Sequence, residues 1–166
     1  MALDDFVGSH YGSLLRTAFL LTGDRHAAED LLQEALAKSW RYAQRNNIEQ
    51  PGAFIRRTLL NEYLSQRRRR RRLREEATEP GRVPQGLAQD VAAEFEARDA
   101  VWHALALLPR RQRAVLVLRF YEDMSEKQVA DVLGIGVGTV RSSAWRGLES
   151  LRKTVVALRE EDHARD

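Results

Sequence analysis

A chain of 166 residues suffices for one ordinary domain or two small ones, and two small ones would each bury little surface and be marginal alone. Its 43% hydrophobic and 31% charged residues exclude a wholly disordered protein and argue for a soluble one, since no segment nears the roughly 20 apolar residues of a membrane span. The absence of cysteine removes disulfides, thiolate metal sites and thiol nucleophiles together, while a net charge of only +3 conceals an unbroken arginine run, Arg67 to Arg72, of the kind that meets a polyanion.

Apolar residues recur at intervals of three and four, so the chain reads as helix throughout and no strand pattern survives. The start, Met1-Ala2-Leu3-Asp4-Asp5, is acidic and lacks the basic residues and apolar run of an export signal, so a cytoplasmic location is expected. A first helix, about Leu3 to Thr22, carries Phe6, Tyr11, Leu14, Leu15, Ala18 and Phe19 on one stripe. Gly23-Asp24 ends it, and Asp24 is placed to cap a second helix, about Arg25 to Gln44. That helix turns Ala27, Leu31, Leu32, Ala35 and Trp40 inward. Its other face gathers Glu29, Asp30, Gln33 and Glu34 at i,i+4 spacing. Acids repel a phosphate backbone, so this face suits a protein partner or plain solvent, and not DNA.

The polar stretch Arg45 to Gln50 precedes Pro51, whose fixed φ suits the first turn of a third helix reaching about Arg74. This helix packs Phe54, Ile55, Leu59, Leu60, Tyr63 and Leu64, and displays Arg56, Arg57, Asn61, Gln66 and the arginine run that begins with Arg67 and Arg68. An asparagine amide can pair with adenine or an unstacked base while arginines meet phosphates; the plainer alternative for Asn61 is an exposed helical amide. With Trp40 and Tyr42 beside it, the polar loop has the mixture of aromatic and polar groups that suits a base turned out of its stack.

From Glu75 to Gln89 the residues Pro80, Gly81, Pro84 and Gly86 break any helix, which marks a flexible linker. Beyond it come a helix of about Asp90 to Leu107, carrying Val91, Phe95, Val101, Trp102 and Leu105, and helices over Pro109 to Tyr121, Ser125 to Leu133 and Val137 to about Leu158. The charged tail, Arg159 to Asp166, is expected to fray. The fold expected is therefore all-α, with two small helical domains at 1–74 and 90–160, a linker at 75–89 and a tail at 161–166.

The most specific signal lies between Ser125 and Arg146. Ser125 and Gln128 have capping-box spacing, Ala130 is small where two helices must cross steeply, Gly134 permits a sharp turn, and Val140 supplies an apolar plug from the next helix. These are the spacings of a DNA-binding helix-turn-helix. Its second helix would place N-terminal side chains in the major groove, with Thr139 near a phosphate and Arg141, Ser142, Trp145 and Arg146 as exposed candidates. An ordinary helical hairpin with a surface tryptophan is the bland alternative. A stand-alone helix-turn-helix regulator, binding duplex as a dimer, remains open at this level. An enzyme is disfavoured, because His10, His26, His103 and His163 are scattered and form no ligand cluster; no metal or cofactor is expected.

Leu21-Thr22-Gly23-Asp24-Arg25-His26-Ala27-Ala28-Glu29-Asp30-Leu31-Leu32-Gln33-Glu34 resembles region 2 of the extracytoplasmic-function sigma factors, particularly a sigma-E-like subgroup. Leu108-Pro109-Arg110-Arg111-Gln112-Arg113, with Gly138-Thr139-Val140-Arg141-Ser142, resembles their region 4. The resemblance implies a non-enzymatic subunit that directs core RNA polymerase to promoter DNA. It implies that Glu29, Asp30, Gln33 and Glu34 dock on the clamp helices of the largest polymerase subunit, and that region 4 rests on the flap of the second-largest. Asn61, with Arg56, Arg57, Arg67 and Arg68, would then serve the minus-10 element, and the loop before Pro51 would hold an extruded base. Arg119, Thr139, Arg141, Ser142, Trp145 and Arg146 would serve the minus-35 element. The resemblance also admits an anti-sigma factor as a partner. Two departures stand out: Ile135-Gly136 where the family often has serine or proline, and Ser143-Ala144 in place of a more usual basic-apolar pair.

Overall fold

The computed structural model describes residues 2–69, 93 and 99–165, and among them every regular element is a helix. The chain divides into two compact units, Met1–Val91 and Ala92–Asp166. In the first, α1 (Leu3–Thr22), α2 (Arg25–Ala43) and α3 (Pro51–Arg69) each pack against the other two. Two residues reverse the chain between α1 and α2. Gly23 takes φ 70°, a left-handed conformation that costs glycine little, and its N–H donates to the Phe19 carbonyl at 2.8 Å. Asp24 then accepts from the Ala27 N–H at 2.8 Å, satisfying one of the free amides at the start of α2.

The core of this unit joins Leu14, Leu15, Ala18, Phe19 and Leu21 to Ala28, Leu31, Leu32, Ala35 and Leu36, and closes with Ile55, Leu59, Leu60 and Tyr63. On α2 the enclosed stripe is Ala28, Leu31, Leu32, Ala35, Leu36 and Ser39, so Ala27 lies at its margin and is partly buried. Trp40, expected inward, falls just beyond the stripe and is 39% exposed. Its indole N–H instead donates to Asp4 Oδ1 at 2.7 Å, tying α2 to the solvent-facing start of α1. Phe54 and Leu64 are only partly buried, and the Phe54 ring meets the Tyr42 ring at 4.8 Å. The expected last turn of α3 beyond Arg69, the linker, Val91 and Phe95 lie outside the described residues.

The second unit contains α4 (Asp99–Ala106), α5 (Arg110–Leu116), a π-helical turn (Val117–Tyr121), α6 (Glu126–Leu133) and α7 (Val137–His163). Helix α7 is its spine, since α4, α5 and α6 all pack on it. Ala104, Leu105, Leu108, Ala114, Val115, Leu116, Leu118, Val129, Ala130 and Val140 form the core. Arg113 is buried among them. Its Nη2 donates to the carbonyls of Ala106 at 2.6 Å and Leu108 at 3.0 Å, closing off acceptors left at the end of α4.

Three expectations need adjustment here. The segment expected as one helix to Tyr121 widens at Val117, where the Glu122 N–H reaches the Val117 carbonyl at 3.0 Å; this longer step changes the register, leaving Leu118 enclosed and Phe120 59% exposed. Val101 is exposed, and Trp102 is partly buried. The charged stretch after Leu158 stays helical where its charge suggests a frayed tail, α7 running on to His163: no glycine or proline follows Gly147, and Leu151, Val155 and Leu158 are partly buried along one face.

Candidate nucleic-acid interface

Helices α6 and α7 are set by local chemistry at each end of the turn between them. Ser125 is extended, its Oγ accepts from the Gln128 N–H at 3.1 Å, and Gln128 Oε1 accepts from the Ser125 N–H at 2.8 Å. The reciprocal pair fixes where α6 starts. Gly134 ends it with φ 65°, and the Ile135 N–H closes on the Ala130 carbonyl at 3.1 Å. Gly136 stands at the N-cap of α7, so no capping side chain covers the first amides of that helix. Val140, fully buried, anchors α7 on its inner side.

With Val140 inward, the opposite side of α7 shows Thr139, Arg141, Ser142, Trp145 and Arg146 to solvent, with Trp145 67% exposed. The structure brings these five sequence candidates together on the first turns of one helix, preceded by an uncapped N-terminus whose partial positive charge favours anions. Ser142 Oγ donates to the Thr139 carbonyl at 3.2 Å, which leaves its oxygen as an acceptor. Arg141 Nε meets Glu126 Oε2 at 2.5 Å. Arg119 is partly buried in the π-helical turn, where its Nη1 donates to the Met124 carbonyl just ahead of α6 and its guanidinium lies 5.7 Å from the Phe120 ring centre.

In the first unit, Asp30 is exposed on α2 while Glu29, Gln33 and Glu34 are partly buried. Arg25 Nε holds Glu29 Oε1 at 3.2 Å, and Arg41 Nη2 lies 4.0 Å from Glu34 Oε1. Burial, and secondarily the Glu29 charge, push the Tyr11 hydroxyl above its ordinary pKa. On α3, Arg57 and Asn61 are exposed one turn apart and Arg56 is partly buried. Arg67 and Arg68 belong to the last turns of α3, and their side chains lie outside the described residues. Trp40 and Tyr42, 39% and 47% exposed, precede the polar loop 45–50.

Two features escaped the sequence reading. Glu126 is the partner of Arg141, and its signal was available in principle: an acid directly after the Ser125 cap, on a helix that must cross the next. Glu62, nearly buried and paired with Lys38, had no such signal, because an acid within an arginine-rich helix looks like surface. Among the described residues no helix is long and apolar enough to cross a membrane.

Comparison with known proteins agrees with this arrangement at family level. Residues 6–73 match sigma-70 region 2, and residues 98–151 match sigma-70 region 4. The RNA polymerase sigma-E factor of Streptomyces coelicolor is 34% identical over 160 residues, covering 95% of this chain and 88% of the relative. The ECF RNA polymerase sigma factor SigE of Mycolicibacterium smegmatis is 36% identical over 159 residues, covering 90% of this chain and 60% of the relative. Among solved structures, the sigma factor RpoE in complex with the anti-sigma factor NepR from Bartonella quintana gives a TM-score of 0.66 at 23% identity, covering 91% of this chain and 96% of that one. CnrH in complex with the cytosolic domain of CnrY gives 0.60 at 24% identity, covering 96% and 88%. These two structural likenesses speak for the fold.

Proposed function

This chain belongs to the extracytoplasmic-function sigma factors of the sigma-70 family, transcription-initiation factors, and we propose that it binds core RNA polymerase and selects promoters through two separate helical surfaces. The observation that carries this reading is the exposed start of α7, where Thr139, Arg141, Ser142, Trp145 and Arg146 project from a helix seated by the Ser125 cap, the Gly134 turn and the Val140 plug. A helix so presented enters the major groove with its first turns against base edges. It reads the minus-35 element, Arg141 offering two parallel donors to guanine and Thr139 with the uncapped amides holding a phosphate. Arg119 approaches the backbone of the same element.

The first unit works on the downstream element. Asn61 and Arg57, one turn apart on α3, meet an unstacked base and a phosphate of the minus-10 element, joined by Arg56 and by Arg67 and Arg68. The exposed Trp40 and Tyr42 before loop 45–50 provide rings on which an extruded base can stack. Glu29, Asp30, Gln33 and Glu34 dock on the clamp helices of the largest polymerase subunit, complementary charge steering the encounter, and the second unit rests on the flap of the second-largest. We divide the work at 1–74 and 90–160, with 75–89 as linker and 161–166 as tail.

No bond chemistry is performed in this scheme. Melting follows from binding energy, because trapping unpaired bases shifts the closed-to-open equilibrium toward open DNA. Polymerase supplies the spacing between the two surfaces, so both engage one promoter only when its geometry permits. Two similar structures hold the sigma factor RpoE bound to the anti-sigma factor NepR and CnrH bound to the cytosolic domain of CnrY, which supports a sequestering protein as a further partner here and the cytoplasm as the place of action. Holoenzyme initiating from a promoter pool randomised in both elements tests the assignment: Arg141→Ala should alter preference in the upstream element alone and Asn61→Ala in the downstream element alone.

A further inference from the structure

Arg141 does not stand free at the base-reading face of α7. Its Nε meets Glu126 Oε2 at 2.5 Å, across 15 residues of sequence and the whole helix-turn-helix turn. Glu126 is the first residue of α6, directly after the capping Ser125, so the capping box that fixes the start of α6 also fixes the root of this carboxylate. The side chains are 67% and 34% exposed, and an ion pair so open to water contributes little to folding. Its main effect is therefore on orientation.

A guanidinium carries five N–H donors in a rigid plane. Engaging Nε leaves both terminal nitrogens, the edge that forms two parallel bonds to guanine O6 and N7. An arginine tethered through Nε keeps that edge aimed while losing most of its rotamer freedom before DNA arrives, so less freedom is lost on binding. The carboxylate also offsets the arginine charge, which weakens indiscriminate attraction to any phosphate within reach. Lysine at position 141 would be unable to satisfy both partners in this way.

We propose that Glu126 is a positioning residue for promoter recognition: it holds Arg141 by Nε, presents the outer guanidinium edge to one base pair, and suppresses non-specific phosphate binding by the same arginine. This rests on the reading of Arg141 as a base-contacting residue. The inference adds a determinant on α6, a helix that otherwise serves to seat α7.

The test uses the full chain assembled with core polymerase and a promoter pool randomised across the upstream element, comparing the unaltered protein with Arg141→Ala, Glu126→Ala, Glu126→Gln and the double alanine variant. Arg141→Ala identifies the base pair read. At that pair Glu126→Ala should lower discrimination by roughly three- to tenfold, a part of what restoring arginine rotamer freedom can cost. Glu126→Gln, which keeps an acceptor oxygen, should fall between. The double variant should discriminate no worse than Arg141→Ala alone, because Glu126 acts through Arg141. Affinity of the Glu126→Ala chain for unrelated duplex should rise and depend more steeply on salt. A merely structural pair would lower the unfolding temperature and all initiation together without changing base preference. If Arg141→Ala changes the preferred base and Glu126→Ala does not, the positioning role is overturned. Should Arg141→Ala leave preference untouched, the reading of Arg141 falls, and the role of Glu126 with it.

Discussion

Lys38 on α2 forms an ion pair with Glu62 on α3, whose side chain is only 6% exposed although it sits in a helix rich in arginine. The pair ties together the helix that carries the acidic face and the helix that carries Asn61. A carboxylate this enclosed needs its cation, since desolvation is unfavourable when charge is left uncompensated. Lys38→Met should destabilise the first unit by about 1–3 kcal/mol, less than breaking a fully buried pair costs because Lys38 is itself 42% exposed. Replacing both residues, Lys38→Met with Glu62→Leu, should recover much of that loss. Hydrogen exchange of α2 and α3 amides measures the effect locally in a chain with two units; equal protection in Lys38→Met and the unaltered protein would show that the pair contributes nothing.

At Gly134 the expected cost lies in the backbone. Its φ of 65° is left-handed, yet a β-carbon there would meet nothing within 4 Å. Gly134→Ala should therefore cost about 1–2 kcal/mol through conformation alone, whereas Gly134→Asn, which tolerates this region, should cost less and Gly134→Val more. Thermal unfolding of the three variants checks the order. A ranking that follows side-chain volume, with Asn worse than Ala, would point to crowding instead.

Much of the fold was legible because local signals agreed with one another. Gly23 and Gly134 end helices by turning left-handed, Asp24 and Ser125 start them by capping free amides, Pro51 suits a first turn, and helix bounds read from these residues match the structure closely. Periodicity was less exact about facing. It put Ala27 and Trp40 inside α2, but one residue turns a helix by about 100°, so a stripe misjudged by one position swaps Ala27 for Ala28 and leaves Trp40 at the edge. The charged stretch after Leu158 reads as frayed because charge resembles a tail, yet glutamate and arginine are good helix formers and nothing there interrupts the backbone. Five residues of the candidate DNA face were visible through helix-turn-helix spacing. The Glu126 contact was only hinted at by an acid directly after the Ser125 cap, because the pairing itself depends on how two helices cross, which spacing alone does not give.

The acidic face of α2 yields a prediction about association. Asp30 is exposed and Glu34 partly so, and neither belongs to the buried stripe of that helix. Asp30→Lys with Glu34→Lys should weaken core polymerase binding by about tenfold or more, with helix content unchanged, because like charges across an interface disfavour docking. Fluorescence titration against core enzyme, with circular dichroism as the folding control, measures both. Binding at unaltered affinity would remove these residues from the docking surface.

The most direct measurement is reconstitution: purified chain added to core RNA polymerase lacking any other sigma factor, with genomic DNA as template, and the 5′ ends of the transcripts sequenced. The expected result is a discrete set of new start sites that share paired upstream and downstream elements at a fixed separation. Failure of the chain to join core enzyme, or a complex whose transcript starts are no different from those of core enzyme alone, would contradict it.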